Sequence, residues 1–372
     1  MSDALLPEGF RDRLPPHADA AARFEAAVLA VAHGYGYERV DPPLAEFETA
    51  LDRRLGGAGT RAAVRFVDPV SQAGLAIRPD ITAQVGRIAV TRLAANPRPV
   101  RLSYAGPVLR LRAGPLDPAR ERRQVGCELI GRDSVAAARE LVAVAVAALG
   151  RSGVAGVSLD FTLPDLVDTL AAGPLPLEPD RIAPVRAALD AKDAARVAEL
   201  APGYLPLIAA AGPFAASLAR LRAFDTTGAL ASRLDGLAAI AAGLDVRLTL
   251  DPTERHGFEY QSWFGFSLFA DGVVGEIGRG GSYAIHRGDD AGEGGDDEPA
   301  TGFSLFPDMI DGCASDARRR LWLPLGTDPA HAERLRADGW VAVAALDPDD
   351  TAAAQLCTHE LRDGEPLARR QG

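Results

Sequence analysis

Lysine is almost missing from this 372-residue chain. Lys192 is the single lysine among 40 basic residues, and arginine supplies the others. A lysine nucleophile or Schiff base is therefore confined to one position. The same bias makes any one arginine weak evidence of function, and makes its replacement at a chemically demanding position informative. Cysteine is scarce too. Cys127, Cys313 and Cys357 lie far apart, form no CxxC pair and show no zinc spacing. Disulfides and structural metal are not expected from such a set. The six histidines include no HExxH, which removes support for a zinc peptidase. No uninterrupted apolar run reaches membrane-spanning length, and the most apolar helical stretch, residues 135–149, is broken by Arg139 and Glu140. MSDALLPEGF holds no basic segment leading into an apolar one, so no secretory signal is expected and the cytoplasm is the expected location. A net charge of −11 argues against a chain whose main task is gripping nucleic-acid phosphates.

What is present describes an ordinary globular protein of two or three domains, 47% apolar and 24% charged. Helical spacing predicts a helix over 18–33 and a second helix or turn over 47–55, with a loop at 56–59 and a strand at 64–68. A strand at 75–78 passes through Pro79 into a helix from about Ile81. Residues 101–114 read as two strands or one bent one, and 124–131 as a strand with period-two alternation. A long helix follows over 134–149, with Asp133 as the expected N-cap. Residues 164–243 then become rich in alanine and leucine with no strand pattern, which predicts a helical insertion. Strands resume over 246–250 and continue through 269, 273–277 and 282–284. The acidic, glycine-rich stretch 287–299 reads as a solvated loop. After the strand-to-helix stretch TGFSLFPDMI, the tail predicts a small βαβ unit, with a further short helix and a strand-like CTHEL.

Several blocks, in order, resemble the catalytic core of histidyl-tRNA synthetases: GFRDRLPP, LAIRPDITA, GPVLRLR followed by RRQVGCELIG, and GFEYQ with GRGGSY. The resemblance implies an α+β fold, a class II synthetase-like antiparallel sheet flanked by helices. It implies a core at 1–163 and 246–315, a helical insertion at 164–245 and a small α/β unit at 316–372. The departures carry as much information. Where the synthetases place an arginine that stabilises the carboxylate attacking ATP, this chain has His256, with Arg255 one residue away. Where they stack an arginine on adenine, it has Met309, and Phe306–Pro307 replace the preceding glycine-rich turn. The tail is also shorter than an anticodon-binding domain. A synthetase fold altered in this way resembles the regulatory subunits of ATP phosphoribosyltransferase. That resemblance implies a non-catalytic chain, without cofactor or metal, that forms a homodimer through its core. Its partner would be a short-form catalytic subunit at the first step of histidine biosynthesis, with histidine as effector and no tRNA bound. The alternative is an active histidyl-tRNA synthetase, or a paralogue adenylating another small substrate.

A histidine ligand needs acceptors for its ammonium, donors for its carboxylate and a partner for each ring nitrogen. Asp80 and Thr82 are expected at the ammonium, although their place at a strand-to-helix junction equally suits helix capping. Arg110 is expected at the carboxylate or at another, phosphate-bearing ligand, the alternative being an exposed strand arginine. Gln124 and Glu128, four apart on one strand, face the same side across Gly126, which is expected to leave room for the ligand. Gln124 would span ammonium and carboxylate while Glu128 takes the imidazole, unless an arginine pairs with that carboxylate instead. Tyr260, Gln261 and Tyr283 are expected to line the wall, core packing being the alternative for the tyrosines.

Overall fold

The computed structural model describes residues 5–54, 63–112, 118–255, 261–287, 297–310 and 319–369. The expected loop at 56–59, most of the acidic loop at 287–299, His256, Tyr260 and Cys313 lie outside these residues. The chain divides into two compact units, residues 1–314 and 315–372.

In the first unit, α1 (His17–Gly34) is followed by β1 (Glu38–Arg39), β2 (Ala45–Phe47), α2 (Glu48–Arg54), β3 (Val64–Val67) and β4 (Gly74–Ile77). Next come α3 (Thr82–Thr91), β5 (Val100–Leu109), β6 (Glu121–Ile130), α4 (Val135–Arg151) and β7 (Ser158–Thr162). The helical block holds α5 (Leu166–Ala171), α6 (Pro179–Asp190), α7 (Ala194–Leu200), the two-residue β8 (Gly212–Pro213), α8 (Phe214–Phe224) and α9 (Ala231–Ala241). The unit closes with β9 (Arg247–Leu250), β10 (Gln261–Phe269), β11 (Gly278–Ile285) and β12 (Glu298–Leu305).

Nine of these strands form one sheet in the order β1-β5-β6-β12-β11-β10-β7-β9-β8. Its middle is antiparallel; β1 on β5 and β7 on β9 are parallel. A three-stranded sheet, β2-β4-β3, stands apart from it. Alternation along the long central strands sorts side chains to two faces. Val125, Cys127, Leu129, Phe303 and Leu305 point into one core, shared with α1, α4 and the helical block through Leu141, Leu189, Leu207 and Leu237. Leu102, Tyr104, Ala300 and Tyr283 point to the opposite face, where α3 packs through Val85 and Ala89. The candidate site residues Gln124, Glu128 and Tyr283 lie on that second face.

Three local expectations change. Ser134, not Asp133, caps α4: it holds an extended backbone and its side chain accepts from Ala137 N. Asp133 instead accepts the Trp263 indole N–H at 3.0 Å. Residues 273–277 hold bends rather than a strand; the described part of 101–114 holds a single strand ending at Leu109, the alternative to two strands already allowed. A two-residue strand, β8, lies within the otherwise helical block, joined to β9.

The second unit is β13 (Arg320–Leu323), α10 (Pro329–Ala337) and β14 (Val341–Ala344), a parallel βαβ, then the hairpin β15 (His359–Arg362) and β16 (Glu365–Ala368). Leu321, Leu323, Leu335 and Leu361 form one small core, and Trp322, Ala352 and Cys357 another. Residues 352–356 make turns where a helix is expected.

Candidate functional site

Strand register builds the floor of the site. On β6, Gln124, Gly126 and Glu128 alternate to one face. Across β5 they meet Gly106, Tyr104 and Leu102 respectively. Across β12, Gly126 meets Ser304 and Glu128 meets Gly302. A Cβ on Gly302 would collide with the Glu128 carboxylate, so glycine there makes room for it. The segment from Arg78 into the first turn of α3 covers this floor.

Gln124, fully buried, clamps floor to cover. Its Oε1 accepts from Ile81 N at 3.0 Å, while its Nε2 donates to Asp80 Oδ2 at 2.8 Å and Ser304 Oγ at 2.7 Å. Glu128, 1% exposed, accepts from three hydroxyls. Thr82 Oγ1 and Tyr104 OH reach Oε1 at 3.0 and 3.1 Å, and Tyr283 OH reaches Oε2 at 2.7 Å. Tyr104 OH also lies 2.9 Å from Ser304 Oγ. These bonds favour the ionised carboxylate, but they do not outweigh its desolvation. Burial, assisted by the nearby Asp80 charge, pushes Glu128 up to about 8. Burial likewise raises Tyr104 well above its ordinary range, keeping it a donor. The site gathers oxygen atoms, and a ligand bearing an ammonium or ring N–H group would favour the ionised form of Glu128.

Asp80, Thr82, Gln124, Glu128 and Tyr283 come together in one network. Asp80 both caps, accepting Thr82 N at 2.7 Å, and reaches Gln124. Gln261 is buried at the start of β10 opposite Tyr283, with its Oε1 against Gly281 and no hydrogen-bond partner for that atom among the described residues. Arg110 follows β5 at a bridge to Ala63, its backbone N donating to Arg120 O at 2.8 Å. Tyr260 falls outside the described residues.

Gly126 does not leave open space, because the Tyr104 hydroxyl lies where its side chain would be. Tyr104 and Ser304 are network members that reading the sequence missed. Period-two alternation on RLSYAG and TGFSL, combined with the strand pairing, would have put both beside Gly126. Glu128 is met by hydroxyls, not by an arginine as the ion-pair alternative supposed.

The single lysine is committed elsewhere. Lys192 sits just past α6 in a left-handed conformation (φ 54°). Its Nζ donates to Asp251 Oδ1 at 2.7 Å and Thr253 Oγ1 at 2.6 Å. Asp190 accepts from Arg255 N at 2.8 Å. Together they hold the turn that precedes the wall of the site to the helical block.

The family pattern described as histidyl-tRNA synthetase matches residues 9–310. A protein from Paramagnetospirillum magneticum named ATP phosphoribosyltransferase regulatory subunit is 43% identical, covering 96% of each chain. One of the same name from Rhodospirillum centenum is 42% identical over all of this chain and 94% of its own length. The chain belongs to the family of ATP phosphoribosyltransferase regulatory subunits. In fold, it superposes on a Bacillus halodurans structure described as an ATP phosphoribosyltransferase regulatory subunit/histidyl-tRNA synthetase, with a TM-score of 0.79 at 19% identity over 96% of each chain. A histidyl-tRNA synthetase from Nostoc gives 0.76 at 15% identity, over 96% of this chain and 91% of its own. The regulatory-subunit family thus shares the class II synthetase-like sheet described above.

In this family member the turn after β12 is a single 3-10 turn, Pro307–Met309. Arg122 lies over the Phe306 ring, 5.5 Å from its centroid, and its Nη2 is 3.6 Å from Met309 Sδ. Asp308 accepts Arg123 N at 2.9 Å and pairs with Arg13 Nη2 at 2.5 Å. Arginines from β6 and the N-terminal segment therefore pack onto this turn from within the chain.

Proposed function

We propose that this chain is the non-catalytic regulatory subunit of an ATP phosphoribosyltransferase. It works in the cytoplasm with a short catalytic subunit at the first step of histidine biosynthesis, and pairs with a second copy through its synthetase-like core. Histidine is its effector, held against Asp80, Thr82, Gln124, Glu128 and Tyr283, with Arg110, Tyr260 and Gln261 completing the wall. One observation carries the choice of sensing over catalysis. Met309, which by resemblance takes the place of the synthetases' adenine-stacking arginine, lies 3.6 Å from Arg122 of the same chain, beside a separate floor of buried oxygen atoms around Glu128. Feedback then follows if histidine has unequal affinity for the active and inhibited arrangements of the assembly.

The competing reading, an enzyme that adenylates histidine or a relative, makes an opposite prediction. Purified chain with ATP, Mg²⁺ and histidine should give no pyrophosphate exchange above background. Robust exchange would overturn the non-catalytic assignment.

A further inference from the structure

Arg78 is not among the residues singled out above, yet its guanidinium lies against the floor of the site. It follows β4 and is only 3% exposed. Nε donates to Pro107 O at 2.8 Å, and Nη1 to Pro42 O at 2.8 Å and Gln84 Oε1 at 3.3 Å. These three bonds fix the plane of the guanidinium. They leave Nη2 lying over Gly106, where any Cβ would overlap it, and among the described residues Nη2 makes no hydrogen bond.

Gly106 is the cross-strand partner of Gln124, and Gln124 Nε2 holds the Asp80 carboxylate at 2.8 Å. A guanidinium nitrogen and a carboxylate therefore lie over the same rung of the β5–β6 ladder. They come from one tripeptide, Arg78–Pro79–Asp80. The proline restricts the residue before it to extended backbone, and the bend at Pro79 lies between the two side chains. An arginine stays charged at any working pH and suits planar carboxylates. Asp41, Asp80 and Glu46 lie near enough to act on its charge, while Nη2 keeps a donor that a ligand carboxylate can take.

We propose that Arg78 Nη2 anchors the carboxylate of the ligand, so that Arg78–Pro79–Asp80 reads a zwitterion. Arg78 takes the anionic end and Asp80 the ammonium end of a free α-amino acid. Gly106 is the residue that gives the guanidinium its place. The site then selects free amino acids over decarboxylated or amidated analogues, whichever side chain Glu128 chooses. This rests on the effector reading above and adds an anchor distinct from Arg110.

The test uses the full-length chain in the presence of its catalytic subunit. Histidine and histidinamide, whose carboxylate is replaced by a neutral amide, are titrated calorimetrically into the wild type, Gly106→Ala and Arg78→Lys, with thermal midpoints recorded. Histidine affinity should fall about ten- to a hundredfold in both variants, the loss of one charged hydrogen bond. Histidinamide, already weak, should be unaffected. Equal losses for the two ligands, or none for histidine, would overturn the role of Arg78 while leaving histidine as effector. Failure of the wild type to bind histidine would remove the effector reading and this one together. Should the variants not fold, a structure of the wild type with histidine decides. A carboxylate oxygen within hydrogen-bond distance of Nη2 supports the anchor; one held only by other groups overturns it.

Discussion

Glu128 concentrates the chemistry of the site in one carboxyl group. Three hydroxyls serve it, and burial still holds it near 8 rather than 4.5. Between those values the folded chain keeps a proton that the unfolded chain has released. The contribution to stability is then greatest below about 4.5 and declines as pH rises toward about 8. Glu128→Gln removes this titration. Thermal denaturation should show the wild type losing ground to the variant from about pH 5 to pH 8, and parallel curves would contradict the burial argument. A bound cationic group would reverse the cost by giving the ionised carboxylate a partner, so the same variant should weaken histidine inhibition. That Glu128 and Gln124 share a face was legible from their spacing. Thr82 and Tyr283 were expected in the same pocket, but Tyr104 and Ser304 were not, because they arrive from β5 and β12, which only the sheet order brings beside Gly126.

At the scale of elements, the ends of helices and strands were the least legible. Asp133 and Ser134 are both good N-caps, and adjacent positions cannot be separated by composition. The backbone decides: Ser134 has the extended conformation of a cap and reaches Ala137 N, whereas Asp133 turns to Trp263. Ser134→Ala should cost about 1 kcal/mol of stability. Asp133→Ala, which loses one exposed side-chain bond, should cost less; the reverse order in denaturant titrations would contradict this assignment. Residues 273–277 alternate like a strand, yet they sit after a left-handed Gly272 and cross from β10 to β11, so their pattern reflects one buried residue, Ile277. The long strands were legible because each places alternate side chains in the main apolar core, where a one-residue slip would expose them.

At the scale of the molecule, the sheet separates two tasks. One face is closed by α1, α4 and the helical block around a continuous apolar core. The other carries α3 and the acceptor-rich floor. Ordered motifs announced this synthetase-like sheet, since glycines, tyrosines and carboxylates at close approaches leave few alternatives. They did not announce how the turn at Pro307–Met309 is filled, because Arg13, Arg122 and Arg123 reach it from far along the chain. A fold shared by synthetases and regulatory subunits does not decide function; the behaviour of the assembly does. The most direct measurement is phosphoribosyl transfer to ATP by the short catalytic subunit, assayed alone, with this chain, and with this chain plus histidine. Transfer should rise when the chain is added and fall again with histidine. Transfer unchanged by the chain, with or without histidine, would contradict the regulatory function.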